Sequence, residues 1–140
     1  MRHLDTNIFL RYLVLPVTPL DVQKQQACSV LFQRLRAGHE QATTCEAIIA
    51  EILYNLCSAR RYRLNHQDAS ARLRPLLTLR GLKLTHKRVY LRALDLFASH
   101  AALDFEDALL VAHMEHGKET ELHSYDTDFD SVPGVSRQEP

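Results

Sequence analysis

Gln41-Ala42-Thr43-Thr44-Cys45-Glu46-Ala47-Ile48-Ile49-Ala50-Glu51-Ile52-Leu53-Tyr54-Asn55-Leu56 changes its pattern after the first four residues. Gln41–Thr44 fits a short strand. From Cys45 to about Arg60, Ala47, Ile48, Ile49, Ile52, Leu53 and Leu56 recur at helical spacing, which predicts a well-buried helix. One carboxylate, Glu51, stands inside that apolar run, with no lysine or arginine within a helical turn. A buried carboxylate is costly to desolvate unless something pairs with it.

The same strand-then-helix unit repeats outward in both directions. Met1–Asp5 reads as a very short strand, and Thr6-Asn7 can cap a helix carrying Ile8, Phe9, Leu10, Tyr12 and Leu13. Pro16 and Pro19 break that helix, and another runs over Asp21–Leu35 to Gly38. Beyond Arg60, Asn65 or Asp68 opens a helix through Leu79, with a kink expected at Pro75 and an end at Gly81. Leu82–Thr85 is a further strand, Lys87–His100 an amphipathic helix, and Asp104–His116 a helix apolar almost all round from Ala108 to Ala112, ended by Gly117. Glu121–Tyr125 gives the next strand, followed by the acidic turn Asp126–Asp130 and a Pro133-Gly134 turn. Short strands separated by helices, without hairpin turn signals, predict an α/β fold: a three-layer α/β/α sandwich around a mostly parallel sheet of four or five strands.

A length of 140 residues suits one domain, so residues 1–140 are expected to fold as one. No apolar run is long enough to cross a bilayer, and Met1–Asp5 lacks the features of a secretory signal, so a cytoplasmic location is expected. Cys28, Cys45 and Cys57 are an odd number without zinc-site spacing and read as small buried apolar residues in a reducing compartment. The net charge is zero, but its distribution is uneven. Residues 1–59 carry five charges of each sign, 60–92 ten basic and one acidic, and 93–140 two basic and eleven acidic. That asymmetry suggests a polyanion or a strongly charged protein as partner.

In open parallel sheets, ligands bind beyond the carboxyl ends of the strands. Asp5 and Asp126 both stand directly after predicted strands, and Asp107 lies in the first turn of a buried helix. If Asp5, Glu51, Asp107 and Asp126 converge, two of them about 4 Å apart repel by roughly 4 kcal/mol at an effective dielectric near 20, or about three pKa units. Such a site must take up protons or cations. Clustered hard oxygens select Mg²⁺ or Mn²⁺, and either ion can activate water and bridge a phosphate oxygen.

Asp5-Thr6-Asn7 after an N-terminal strand, Glu51 in A-E-I-L-Y-N-L, Asp107 in D-F-E-D-A-L-L-V-A and Asp126 in S-Y-D-T-D-F together resemble the four acidic motifs of a PIN domain. More narrowly, the chain resembles the VapC-type toxin ribonucleases of bacterial toxin–antitoxin pairs. The resemblance spans essentially the whole chain, with the motifs in order. It implies Mg²⁺- or Mn²⁺-dependent endoribonuclease activity, a homodimer, and a cognate antitoxin that inserts a segment near the acidic groove. It also implies that Asp5 and Asp107 are the principal metal ligands, with Glu51 and Asp126 completing the shell and orienting the attacking water. Asp128 matches an auxiliary acid of some members, and Thr6, Asn7 and Ser124 would orient carboxylates. Ser124 stands where many members carry Thr, and either hydroxyl can serve.

The residues also admit plainer readings. Asp5 and Thr6 can simply cap a helix, and Asp104 with Asp107 can form an Asp version of the capping box. Asp126, Asp128 and Asp130 open like a calcium loop, but Ser131 and Arg137 occupy the places of its Gly and Glu, which excludes one. His113 and His116 lack a third zinc ligand, and no G-x-S-x-G elbow is present. The basic stretch containing Arg60, Arg61, Tyr62 and Arg63 is either a solvated surface or an RNA-binding one, with Tyr62 placed to stack on a base. Two other functions fit the acids: a phosphatase or phosphotransfer enzyme with an aspartate nucleophile, and a non-catalytic PIN-like binding module.

Overall fold

A computed structural model describes residues 1–140. The chain runs β1 (Arg2–His3), α1 (Thr6–Leu13), α2 (Pro19–Ala37), β2 (Ala42–Thr43), α3 (Glu46–Cys57), α4 (His66–Leu77), α5 (Lys87–Ser99), α6 (Phe105–Gly117), β3 (Glu121–His123), the 3-10 helix η1 (Thr127–Ser131) and β4 (Ser136–Gln138). The architecture is α/β, and every strand pairing is parallel.

The strands do not join into the single four- or five-stranded sheet expected. β1 pairs with β2, and β2 makes one further parallel bridge from Ala42 to Leu82. β3 pairs separately with β4. The Leu82–Thr85 strand shrinks to that bridge, closed by Ala42 N–H donating to the Gly81 carbonyl at 2.9 Å and Lys83 N–H to the Ala42 carbonyl at 2.8 Å. The ladders are only two or three residues long, and most of the side chains on them are exposed. The core therefore comes from helices rather than from sheet faces.

That core is one cluster. It contains Phe9 of α1, Phe32 and Leu35 of α2, Ile49, Ile52, Leu53 and Leu56 of α3, Leu73 and Leu77 of α4, Leu94 and Phe97 of α5 and Val111 of α6. Of the three cysteines expected to be buried only Cys28 is: Cys45 stands exposed at the N-cap of α3, and Cys57 is half-buried at its last residue. Phe9 and Tyr12 lie against Phe32 at ring-centroid distances of 5.5 and 4.8 Å, locking α1 onto α2. His66 stacks on Phe97 at 3.8 Å, so the start of α4 is held to the end of α5. No buried side-chain polar atom lacks a hydrogen-bond partner.

Local signals set the helix boundaries. Pro19 does not merely end α1: it is the first residue of α2, and Thr18 and Asp21 form a full capping box around it. Gly38 closes α2 in the left-handed region at φ 76°, a conformation that costs glycine little. α4 continues through Pro75, and α6 ends past Gly117 with Lys118 at φ 59°. No helix is long and apolar enough to cross a membrane.

Candidate active site

A helix that leads into a parallel strand runs back alongside it, so its N-terminus lies at the strand's carboxyl end. α6 leads into β3 in this way. Its first turn therefore lies beside Asp126, the residue that opens η1 after β3. Electrostatics agrees: the Asp126 charge acts on Asp107. Asp104 is the N-cap of α6, and its Oδ1 accepts from the Asp107 N–H at 2.8 Å. The two carboxyls are thus neighbours. Burial is the main cause that pushes the Asp107 carboxyl up to about 6, and the charge and hydrogen bonding of Asp104 come next.

The second group of acids is held by α1 and α3. Asp5 occupies the N-cap position of α1, yet its side chain accepts no hydrogen bond from the helix backbone. Capping does not use this carboxylate, which instead accepts from Asn7 Nδ2 at 3.3 Å. The hydroxyl of buried Thr6 donates to Glu51 Oε2 at 2.8 Å, tying the first residue of α1 to the middle of α3.

Glu51 departs from the sequence expectation: it is exposed, not buried. Ile49, Ile52, Leu53 and Leu56 take the inward face of α3, and Glu51 lies on the outward stripe with Ala47 and Tyr54. No desolvation cost therefore explains it. Ser124 also differs in detail. Its Oγ accepts from the Asp126 N–H at 3.0 Å, so it fixes the turn's backbone and not a carboxylate. Asp126 Oδ1 in turn accepts from the Asp128 N–H at 2.9 Å, and the Asp128 side chain is exposed.

A cavity of about 780 Å³ lies between α3 and the start of α6; of the four candidate acids only Glu51 lines it, and Asp5, Asp107 and Asp126 do not. Its acidic rim includes Glu51 from α3 and Asp104 and Glu106 from the start of α6, and Ala50, Leu53, Phe105 and Leu109 form apolar walls. Asp104, read from sequence as a cap alone, thus shares a cavity with Glu51 and a carboxyl contact with Asp107. The signal for it was the Asp-x-x-Asp spacing, because an N-cap and the residue three further on face each other.

All six ion pairs in the protein lie elsewhere: Arg2–Glu40, Arg11–Asp21, Arg74–Asp95, Arg92–Glu115, and Arg137 with Asp130 and Glu139. Asp5, Glu51, Asp104, Asp107, Asp126 and Asp128 have no lysine or arginine partner. No three histidine, cysteine, aspartate or glutamate side chains stand close enough to hold a metal ion in common. The acids are therefore arranged as two neighbouring groups and not as one tight shell. Their chemistry, hard carboxylate oxygens with no protein cation to balance them, suits a hard divalent ion that keeps part of its water shell.

A PIN domain family model matches residues 3–135, and the chain belongs to the PIN domain family. PIN domains are α/β proteins, in general nucleases that act on RNA with divalent metal ions. Comparison with curated proteins gives no match.

Proposed function

We propose that this chain is a Mg²⁺- or Mn²⁺-dependent endoribonuclease, folding as one PIN domain over residues 1–140 and serving as the VapC-type toxin of a toxin–antitoxin pair. The observation that carries the reading is the unbalanced acidic group at the start of α6, where Asp107 is half-buried beside Asp104 and within reach of the charge of Asp126. Asp5, Asp107, Asp126 and Glu51 would hold the ion, directly or through water, with Asp128 at the margin. When bound, the ion supplies Lewis-acid polarisation of a phosphodiester and lowers the pKa of water for in-line attack.

The chain's own residues position these groups. Thr6 fixes the Glu51 carboxylate by its hydroxyl hydrogen bond, and Asn7 holds that of Asp5. Ser124 fixes the backbone of the turn that carries Asp126, and Asp126 Oδ1 accepts from the Asp128 N–H within it. The apolar wall beside Glu51 is suited to a hydrophobic segment of an antitoxin, whose arrival would cover the acids. A homodimer completes the proposal.

The test is cleavage of labelled single-stranded and structured RNA with Mg²⁺ or Mn²⁺, with and without excess chelator. Cleavage that needs the added ion is expected. Full activity in chelator would overturn the reading, and a trapped covalent aspartyl-phosphate would favour a phosphotransfer enzyme instead.

A further inference from the structure

The residues between α3 and α4 form a tight loop. Arg61 and Arg63 N–H both donate to the Ser58 carbonyl, at 3.0 and 3.1 Å, and Arg60 N–H donates to Ser58 Oγ at 3.3 Å. Arg63 sits at φ 54° and curls its Nε onto the Ala59 carbonyl at 2.7 Å, so it braces the loop. Arg60, Arg61 and Tyr62 are left facing outward, and neither arginine has a carboxylate partner.

This loop forms one wall of a second cavity, of about 300 Å³, distinct from the one between α3 and α6. The opposite wall is the α1–α2 connection, where Leu15 and Val17 are 89% and 91% exposed. Asn7 also lines the cavity, and it is the residue whose amide holds the Asp5 carboxylate. A cavity at the small end of ligand-pocket sizes thus combines an aromatic ring, bare aliphatic surface, an amide and an unpaired guanidinium with the Arg11–Asp21 ion pair, whose arginine balances the one carboxylate in the lining. It opens two residues from a candidate metal ligand. Aromatic and aliphatic faces that take a flat ring, next to a free cation that takes a phosphate, are what single-stranded nucleic acid requires.

We infer that this cleft receives an unpaired nucleobase of the RNA strand, stacked on Tyr62 against Leu15 and Val17, with Arg61 on the adjoining phosphate. The inference rests on the nuclease reading and adds to it a positioning site for the substrate next to Asp5. Base stacking is tolerant of sequence, so the site selects unpaired over paired RNA more than it selects one base.

The experiment measures binding of fluorescein-labelled ten-nucleotide oligo(U) and oligo(A) RNA by anisotropy, in an Asp107→Asn background with Mg²⁺. Tyr62→Ala should weaken binding about 10-fold or more and Tyr62→Phe by no more than about 2-fold, since the ring and not the hydroxyl does the stacking. Arg61→Ala should also lower the slope of log affinity against log salt by about 0.7, the share of one phosphate on a single strand. Arg88→Ala, at an exposed and unpaired position of α5, is the control for diffuse charge. In wild-type cleavage, Tyr62→Ala should raise KM more than it lowers kcat. The inference is overturned if Tyr62→Ala binds RNA as the parent does, if its loss does not exceed that of Arg88→Ala, or if the parent binds neither oligonucleotide. A wild type that cleaves no RNA would overturn the nuclease reading alone, because the binding comparison does not depend on cleavage.

Discussion

Replacing Asp107 with Asn should remove RNA cleavage, by at least about 1,000-fold, and at the same time make the metal-free protein more stable at neutral pH. Loss of a ligand that also balances charge at the reacting phosphate removes several kcal/mol of transition-state stabilisation, and each 1.36 kcal/mol is a factor of ten in rate. The gain in stability follows from the acid's environment. Burial and the neighbouring Asp104 and Asp126 raise the folded-state value to about 6, against 3.8 for the free side chain. Between those two values the folded state holds a proton that the unfolded chain has released. Stability therefore falls as pH rises from about 4 to about 6, and it stays low above that range. Two pKa units correspond to about 3 kcal/mol, and partial solvent access reduces this to roughly 1–2 kcal/mol. In metal-free buffer at pH 7.5, Asp107→Asn should melt about 3–6 °C higher than wild type, with little difference near pH 4. A variant that melts lower at pH 7.5 and still cleaves RNA would show that Asp107 is only a helix-start residue.

The second large effect is structural. Gly81→Ala should destabilise the protein by about 3 kcal/mol, at the upper end of the usual cost of overpacking, lowering the melting temperature by roughly 10 °C. Gly81 is buried between the end of α2 and the β2 strand, donating to the Leu35 carbonyl at 2.8 Å and accepting from Ala42 N–H at 2.9 Å. A Cβ there would lie 2.2 Å from the Glu40 carbonyl oxygen and 2.8 Å from that of Leu35, and both are backbone atoms that no rotamer change can move. Relief requires β2 to move away from α2. β2 in turn leads into α3, which carries Glu51, so activity should fall along with stability. Differential scanning calorimetry reads the outcome, and a shift under about 2 °C would contradict the packing described here.

Most of the helices were legible because their punctuation was: Asn65 and Asp104 at starts, Gly38 at an end, and apolar spacing on α3 and α5, whereas the start of α2 at Pro19, capped by Thr18, was placed two residues late at Asp21. The strands were less so. β4, Ser136-Arg137-Gln138, carries no apolar alternation, and it is held by its ladder with β3 and by Arg137 donating to the Ser124 carbonyl at 3.0 Å. Pattern alone marked Leu82–Thr85 as a strand, but only two backbone hydrogen bonds, through Gly81 and Lys83, tie this segment to β2.

The candidate acids were found in sequence partly for a mistaken reason. Glu51 drew attention as a charge inside an apolar run, whereas helical geometry turns it outward, where Thr6 meets it. That contact joins residues 45 apart in the chain, and no local pattern encodes it. Asp104 was hidden by doing a visible job: an N-cap explains its presence in sequence, and only the fold shows that its other neighbours are Asp107 and the cavity shared with Glu51. The Asn7 and Tyr62 walls of the second cavity likewise come from distant segments that the core brings together.

The claim on which the account depends is that these acids, carried by separate elements and matched by no protein cation, bind a divalent ion, some directly and others through its water shell. Titrating Mn²⁺ into the protein at pH 7.5 while following thermal unfolding tests it directly. A saturable rise of roughly 5–10 °C is expected at about 100 times the dissociation constant, and it should be lost in Asp107→Asn. A wild-type melting temperature unmoved by Mn²⁺ or Mg²⁺ would contradict the account and leave the acidic surface as a docking site alone.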